Sequence, residues 1–375
     1  MERIYFDNAA TTPLDPEVFK VMIPFFTEKF GNPSSIYSYG RETKMAIESA
    51  RKSVAYILNA HPSEIFFTSC GTESSNTAIN AAIYDLGCKH IISSPLEHHA
   101  TLHCVEHLCE TNEAKLSNVK VLPNGHIDYN DLEKLLNESN EKCLVTLMHA
   151  NNEIGNITDI ERVGNLCRKY NAIFHSDTVQ TVGHFPIDLR NLPVHFITGS
   201  SHKFHGPKGV GILFINENIK IHPFIKGGSQ ERNMRAGTEN IYGIVGFAKA
   251  LEITTENLEK DSLQIKEVRN YMMESLLKNI PGIYFNGDYE GDCLYTVLSV
   301  AFPKTNKSEM LLFNLDIHNI CASGGSACTS GAEASSHVIS AITHNLNQVT
   351  VRFSFSKYNT KEEVDIVVEK LKEMI

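Results

Sequence analysis

The sequence predicts an α/β fold, with a mostly parallel sheet flanked by helices and then a smaller α+β unit. Two features predict it. Short β-rich runs alternate with helix-period segments over the first two-thirds of the chain. Beyond about residue 250 the order changes to a polar helical stretch, two strands and a closing amphipathic helix. At 375 residues the chain is also longer than one core usually serves. We therefore divide it into a large domain, 1–250, whose extended N-terminal arm can pack on the small domain, and a small domain, 251–375.

In chain order, the arm leads to a helix over Glu42–Leu58, with Met45, Ala50, Val54 and Ile57 on its apolar face. A strand over Glu64–Thr68 runs into a turn at Cys70-Gly71-Thr72, and a helix starts near Glu73. Further strands are read at His90–Ser93, Leu144–Met148, Ala172–Ser176, Phe196–Gly199 and Val210–Ile215, with a helix over Asp159–Tyr170. The later part holds a helical stretch at Glu256–Asn279, strands at Cys293–Phe302 and Thr350–Ser354, and a helix over Lys361–Met374.

Composition bounds the function. The net charge of −10, with no Lys/Arg cluster, argues against nucleic acid or an anionic membrane as partner. No apolar run approaches the roughly 20 residues of a membrane helix. The N-terminus meets acid and proline too early for a signal peptide. Nine cysteines without a C-x-x-C pair fit reduced thiols in the cytoplasm, most of them expected as small buried hydrophobes.

Three segments carry chemistry. Lys203, in Ser200-Ser201-His202-Lys203, follows an apolar strand and precedes a Gly/Pro-rich turn. There it can reach a cleft whose partial desolvation frees the amine for Schiff-base chemistry; the alternative is a solvated loop charge. Asp177 ends an apolar strand, where α/β folds place ligands, and its carboxylate could hold a pyridine nitrogen protonated. A turn-capping Asp is the plainer option. Gly71-Thr72 opens a helix, whose free N–H groups and dipole favour a phosphate, although a simple helix start reads the same way. Neither a P-loop nor a dinucleotide fingerprint is present.

Together these segments resemble the cysteine desulfurases of the NifS/IscS type, within the class V, fold-type I enzymes dependent on pyridoxal 5′-phosphate. The resemblance runs along nearly the whole chain. It includes Tyr5-Phe6-Asp7-Asn8-Ala9-Ala10-Thr11-Thr12-Pro13, Phe30-Gly31-Asn32-Pro33, Glu97-His98-His99 and Asn151-Asn152-Glu153. It continues through Ser201-His202-Lys203, Arg235-Ala236-Gly237-Thr238, Gly325-Ser326-Ala327-Cys328 and Val351-Arg352-Phe353-Ser354.

The resemblance implies that Lys203 bonds the cofactor, Asp177 pairs with its ring nitrogen and Gln180 bonds its ring hydroxyl, while His98 stacks on the ring. It implies that Gly71, Thr72, Ser200 and His202 hold the phosphate, with Thr238 reaching in from the second subunit of a homodimer. Asn152 is expected near cofactor and substrate, and Arg352, assisted by Asn32, on the substrate carboxylate. The implied reaction converts L-cysteine to L-alanine. Lys203 moves the Cα proton, His98 helps manage protons, and Cys328 takes the sulfur as a persulfide for an acceptor protein such as an iron–sulfur scaffold, or for thiolation.

Cys328 lies in a run of small residues whose composition suits a mobile loop; Cys321, expected at a strand end, is given no role. Gly71 replaces the usual Ala, Thr178-Val179 replace Ala-Thr or Ala-Ala, and Lys357 stands where Arg is frequent. The chain ends at Ile375, without the longer tail by which many members dock a scaffold, which leaves the acceptor open.

Rival readings are selenocysteine lyase or another class V enzyme, a non-catalytic scaffold, and a metal site on His99, His103 and His107, which share one helix face. Retention of Lys203, Asp177 and Cys328 argues against the scaffold, and the absence of H-E-x-x-H weakens the metal site, so the expected site holds no metal.

Overall fold

The structure is a computed structural model, and it describes residues 3–305, 308–324, 336–343 and 348–375. The arm opens with β1 (Ile4–Tyr5) and leads into α1 (Pro16–Met22), α2 (Pro24–Thr27) and the long α3 (Ser38–Ile57). Then come β2 (Ile65–Thr68), α4 (Gly71–Tyr84), β3 (His90–Ser93), α5 (His99–Glu110), β4 (Lys115–Asn118), α6 (Tyr129–Glu138) and β5 (Cys143–Thr146). They are followed by α7 (Ile160–Lys169), β6 (Ile173–Asp177), β7 (Phe196–Ser200), β8 (Gly211–Ile215), α8 (Ile241–Glu256) and α9 (Leu258–Asn279). The chain closes with β9 (Tyr284–Phe285), β10 (Val297–Pro303), α10 (Leu311–Ile317), β11 (Ile320–Cys321), α11 (His337–Ile342), β12 (Gln348–Ser354) and α12 (Lys361–Met374).

The main sheet has seven strands in the order β2-β8-β7-β6-β5-β3-β4. The run from β7 to β4 is parallel, and only β8 runs antiparallel to both of its neighbours. Strands β2, β3, β5, β6, β7 and β8 are buried along their full length, as expected when helices cover both faces. One face packs on α3 and α8 through Ile47, Val54, Phe67, Phe174 and Phe247; the other packs on α4 and α5 through Ala78, Ile79, Ile91 and Val105.

A second, antiparallel sheet, β12-β10-β9, has its own apolar core with α9 and α12, including Met272, Val300, Phe302, Phe353 and Leu371. Ile4 and Phe6 of the arm belong to that core, because β1 pairs in parallel with β11. Residues from the two ends of the chain are thereby held together.

Two expectations need correction. Met45 is 72 % exposed, and the inward face of α3 instead runs through Thr43, Ile47, Ala50, Arg51 and Val54. Of the eight described cysteines only Cys88, Cys143 and Cys167 are buried; the other five are half-buried. Among the described residues no helix is long and apolar enough to cross a membrane.

Candidate active site

The parallel strands deliver their chemistry at their C-terminal ends, where the chain leaves the sheet and backbone groups turn towards a crevice. Strand β6 ends on Asp177, and β7 ends on Ser200 one turn before Lys203. The N-terminus of α4, carrying Gly71 and Thr72, faces the same crevice. A cavity of about 220 Å³ results. It is lined by Gly71, Thr72, His98, Asn152, Asp177, Gln180, Ser200, His202, Lys203 and Arg352, which brings together ten of the thirteen residues singled out in the sequence. Asn32 and Thr238 are exposed and line no part of it, and Cys328 lies outside the described residues.

The arm closes one side. Lys203 Nζ donates to the carbonyls of Ala9 (2.5 Å) and Ala10 (3.0 Å), and Gln180 Nε2 donates to Ala9 O (3.1 Å). Thr12 N–H donates to His202 O, and Thr12 Oγ1 accepts from His205 N–H, so the arm and the lysine turn are stitched together. Ala9 and Ala10 line the cavity with Cys70, Ala100, Met148 and Val179, and none of these six had been assigned a role. Ala9-Ala10 could have been found: two small residues inside a polar motif mark a close backbone approach.

Burial sets the electrostatics. Asp177 accepts from Val179 N–H (3.0 Å), yet its burial pushes the carboxyl up to about 6, against the opposing pull of that bond and of Lys203. His98 is held down at about 4 by burial, and then by Lys203 and the neighbouring imidazoles. Its Nδ1 accepts from Ala100 N–H (3.1 Å), so the neutral ring carries its proton on Nε2. Beside it, Glu97 is fully buried: one oxygen accepts from Met148 N–H (2.8 Å), and Oε2 has no partner. Burial raises its carboxyl well above the usual range, and Asp177 adds to the rise.

Arg352, on β12, is 1 % exposed. Nη1 donates to Asn152 O (2.9 Å) and Nη2 to Asp7 Oδ1 (2.7 Å), whereas Nε is buried without a partner. The cavity therefore offers an amine, a buried carboxyl, an uncapped helix N-terminus and a guanidinium with an unused donor. Gly71 and Val179, both departures from the family pattern, touch one another: a Cβ on Gly71 would come 2.8 Å from Val179 Cγ2, so the glycine makes room for the valine.

His99 packs against His103 and His337, with ring centroids 4.8 and 4.6 Å apart, and no three His, Cys, Asp or Glu among the described residues gather in metal-holding geometry.

The description Aminotransferase class-V matches residues 4–367. A protein named cysteine desulfurase IscS from Dictyoglomus turgidum is 43 % identical over 376 residues, covering 99 % of this chain and 94 % of its own. Its namesake from Methanosarcina thermophila is 41 % identical, covering 99 % and 92 %. Among solved structures, a NifS-like protein superposes with a TM-score of 0.91 at 38 % identity over 99 % of both chains. Another, from Rickettsia africae, gives 0.89 at 33 % identity over 100 % of this chain and 99 % of its own.

Proposed function

The chain belongs to the class V aminotransferase family and is a cysteine desulfurase, and on that premise we propose that it works with pyridoxal 5′-phosphate held in the cavity around Lys203. One observation carries the reading: Lys203, Asp177, the N-terminus of α4 and Arg352 line a single cavity. The donor set fits the cofactor. Lys203 supplies the amine that holds its aldehyde, and Asp177 a carboxylate for its ring nitrogen. Gly71, Thr72, Ser200 and His202 surround a place for its phosphate, where Cys70 gives the α4 N–H groups no side-chain cap. Gln180 would serve the ring hydroxyl, and His98 and Asn152, which line the same cavity, would hold the ring.

When bound, the cofactor's ring stores the electron pair left on Cα. The remaining work falls to the chain's own groups. Arg352 binds the substrate carboxylate and so orients the substrate's Cα; Asn32, exposed and outside the cavity, takes no part in that clamp. Lys203 takes the Cα proton and returns it to product. His98, neutral above about pH 4, is a donor through Nε2–H rather than a strong base. The Cys328 thiolate attacks the substrate sulfur: an S–S bond forms, the Cβ–S bond breaks, and the carbon skeleton leaves as alanine. The persulfide then passes to an acceptor protein, such as an iron–sulfur scaffold or a thiolation partner.

The division into 1–250 and 251–375 belongs to the same reading, supported by the separate apolar cores. So does a homodimer, in which Thr238 completes the partner's phosphate site. Phe19, Ile23, Phe26, Phe30 and Tyr39 stand exposed along α1–α3, apolar surface that a second subunit would cover. Cytoplasmic location is part of the proposal as well.

The test is alanine and sulfide release from L-cysteine with reductant. The wild-type protein should be yellow and active. Lys203→Ala should lose both properties, and Cys328→Ala should stay yellow without releasing alanine. A colourless wild type would overturn the cofactor assignment, and an active Cys328→Ala the persulfide route.

A further inference from the structure

Arg352 has a partner that its assigned role does not explain. Its guanidinium is buried, and the anion at 2.7 Å is Asp7 of the N-terminal arm, whose side chain is 20 % exposed. Two features show that Asp7 is placed there by the fold rather than drawn in by the charge. The arm on either side of it is pinned to β12 by backbone and amide bonds: Ser354 N–H donates to Phe6 O (2.7 Å), Asn8 Nδ2 to Ser354 O (2.9 Å) and Ala9 N–H to Ser354 Oγ (2.9 Å). The Asp7 carbonyl itself accepts from Tyr5 Oη (3.1 Å). Arg352 is likewise fixed without Asp7, by the pairing of β12 with β10 and by the bond from Nη1 to Asn152 O. The carboxylate is thus presented to the guanidinium from a rigid frame, and the buried Nε–H is left over.

We propose that Asp7 is an internal anion lodged in the substrate-carboxylate clamp, against which the incoming carboxylate must compete for Arg352. The proposal rests on the reading of Arg352 as that clamp. With no amino acid bound, Asp7 offsets a buried positive charge that would otherwise be costly. An arriving carboxylate takes the unused Nε–H and a hydrogen of an Nη group, and it meets Asp7 at close range. Two carboxylates on one guanidinium repel, so Asp7 lowers the affinity for any ligand with an α-carboxylate. It leaves amines without one unaffected. Asp7 is in this sense an affinity-setting residue: it makes the clamp weak enough to release product.

The experiment uses the holoenzyme and the substitution Asp7→Asn, which keeps an oxygen acceptor for Nη2 and removes the charge. Calorimetric binding of L-alanine, the KM for L-cysteine, and binding of ethylamine as the carboxylate-free control are compared. The expected result is L-alanine binding tighter by roughly tenfold, the size of one screened charge contact, with KM falling in parallel and kcat moving less than KM. Ethylamine should be unchanged. Asp7→Ser, also uncharged, should give the same sign. Weaker or unaltered L-alanine binding in both variants would overturn the proposal and make Asp7 a mere brace. Arg352→Gln separates the two ideas: if it leaves L-alanine binding intact, Arg352 is no clamp and both readings fall.

Discussion

Two buried arginines divide this molecule into a part that is finished and a part that waits. Arg51, on α3, has a partner at every nitrogen: Nη1 and Nη2 meet the two oxygens of Glu231 at 2.7 and 2.8 Å, Nη1 also reaches Ile65 O, and Nε meets Glu48 at 3.1 Å. The guanidinium lies over the Phe67 ring, and Glu231 also accepts from Phe67 N–H. Arg352 is as deeply buried but keeps Nε unmatched, with a single carboxylate oxygen opposite. Glu97, near enough to Asp177 for their charges to interact, likewise keeps a buried oxygen without a partner. Satisfied buried charge marks architecture, whereas buried charge with unused capacity marks the place a ligand completes.

The largest test attacks the finished side. Glu231→Gln leaves Arg51 buried beside a neutral partner and should cost about 3–5 kcal/mol of stability by urea unfolding. A loss under about 1 kcal/mol would break the comparison.

On the waiting side the sign reverses. Because burial lifts Asp177 from 3.8 to about 6, the folded chain binds its proton more tightly than the unfolded chain. The group therefore costs folding nothing below about pH 4; the penalty grows as pH rises from there to about 6 and is level above it. At neutral pH the cofactor-free protein should carry a penalty of about 3 kcal/mol. Asp177→Asn apoprotein should unfold at higher urea than the wild type at pH 7, and the gain should vanish toward pH 4. A less stable variant would mean that Asp177 has structural partners.

The smallest test returns to Arg51. Glu48 is 43 % exposed, so Glu48→Ala should cost about 0.2–1 kcal/mol in the same unfolding experiment. A larger loss would mean that Glu48, not Glu231, is the main counter-ion.

Much of this was legible in the sequence, and for physical reasons. Strands β3 and β5 to β8 were read within two residues because sheets covered on both faces write near-continuous apolar runs. Helix α12 was located to the residue, its start fixed by the Thr360–Glu363 capping box. Strand β4 was missed: its burial is partial at Leu116 and Ser117 and absent at Lys115 and Asn118, so an edge strand leaves no pattern. Helix α9 was read two residues early at its start and to the residue at its end, although neither Gly nor Pro marks the break from α8 at Asn257. Most site residues were recognised through ordered motifs. Asp7 stood inside one of them without a role, because its significance lies in a bond across 345 positions. No local pattern can announce such a contact.

The pairing of β1 with β11 has a consequence for synthesis. Lys203 leaves the ribosome long before Arg352, and the arm that accepts its amine waits for strands made near the end. A chain interrupted before β12 would thus carry Lys203 without Arg352. The enzyme's chemistry is withheld until translation is nearly complete.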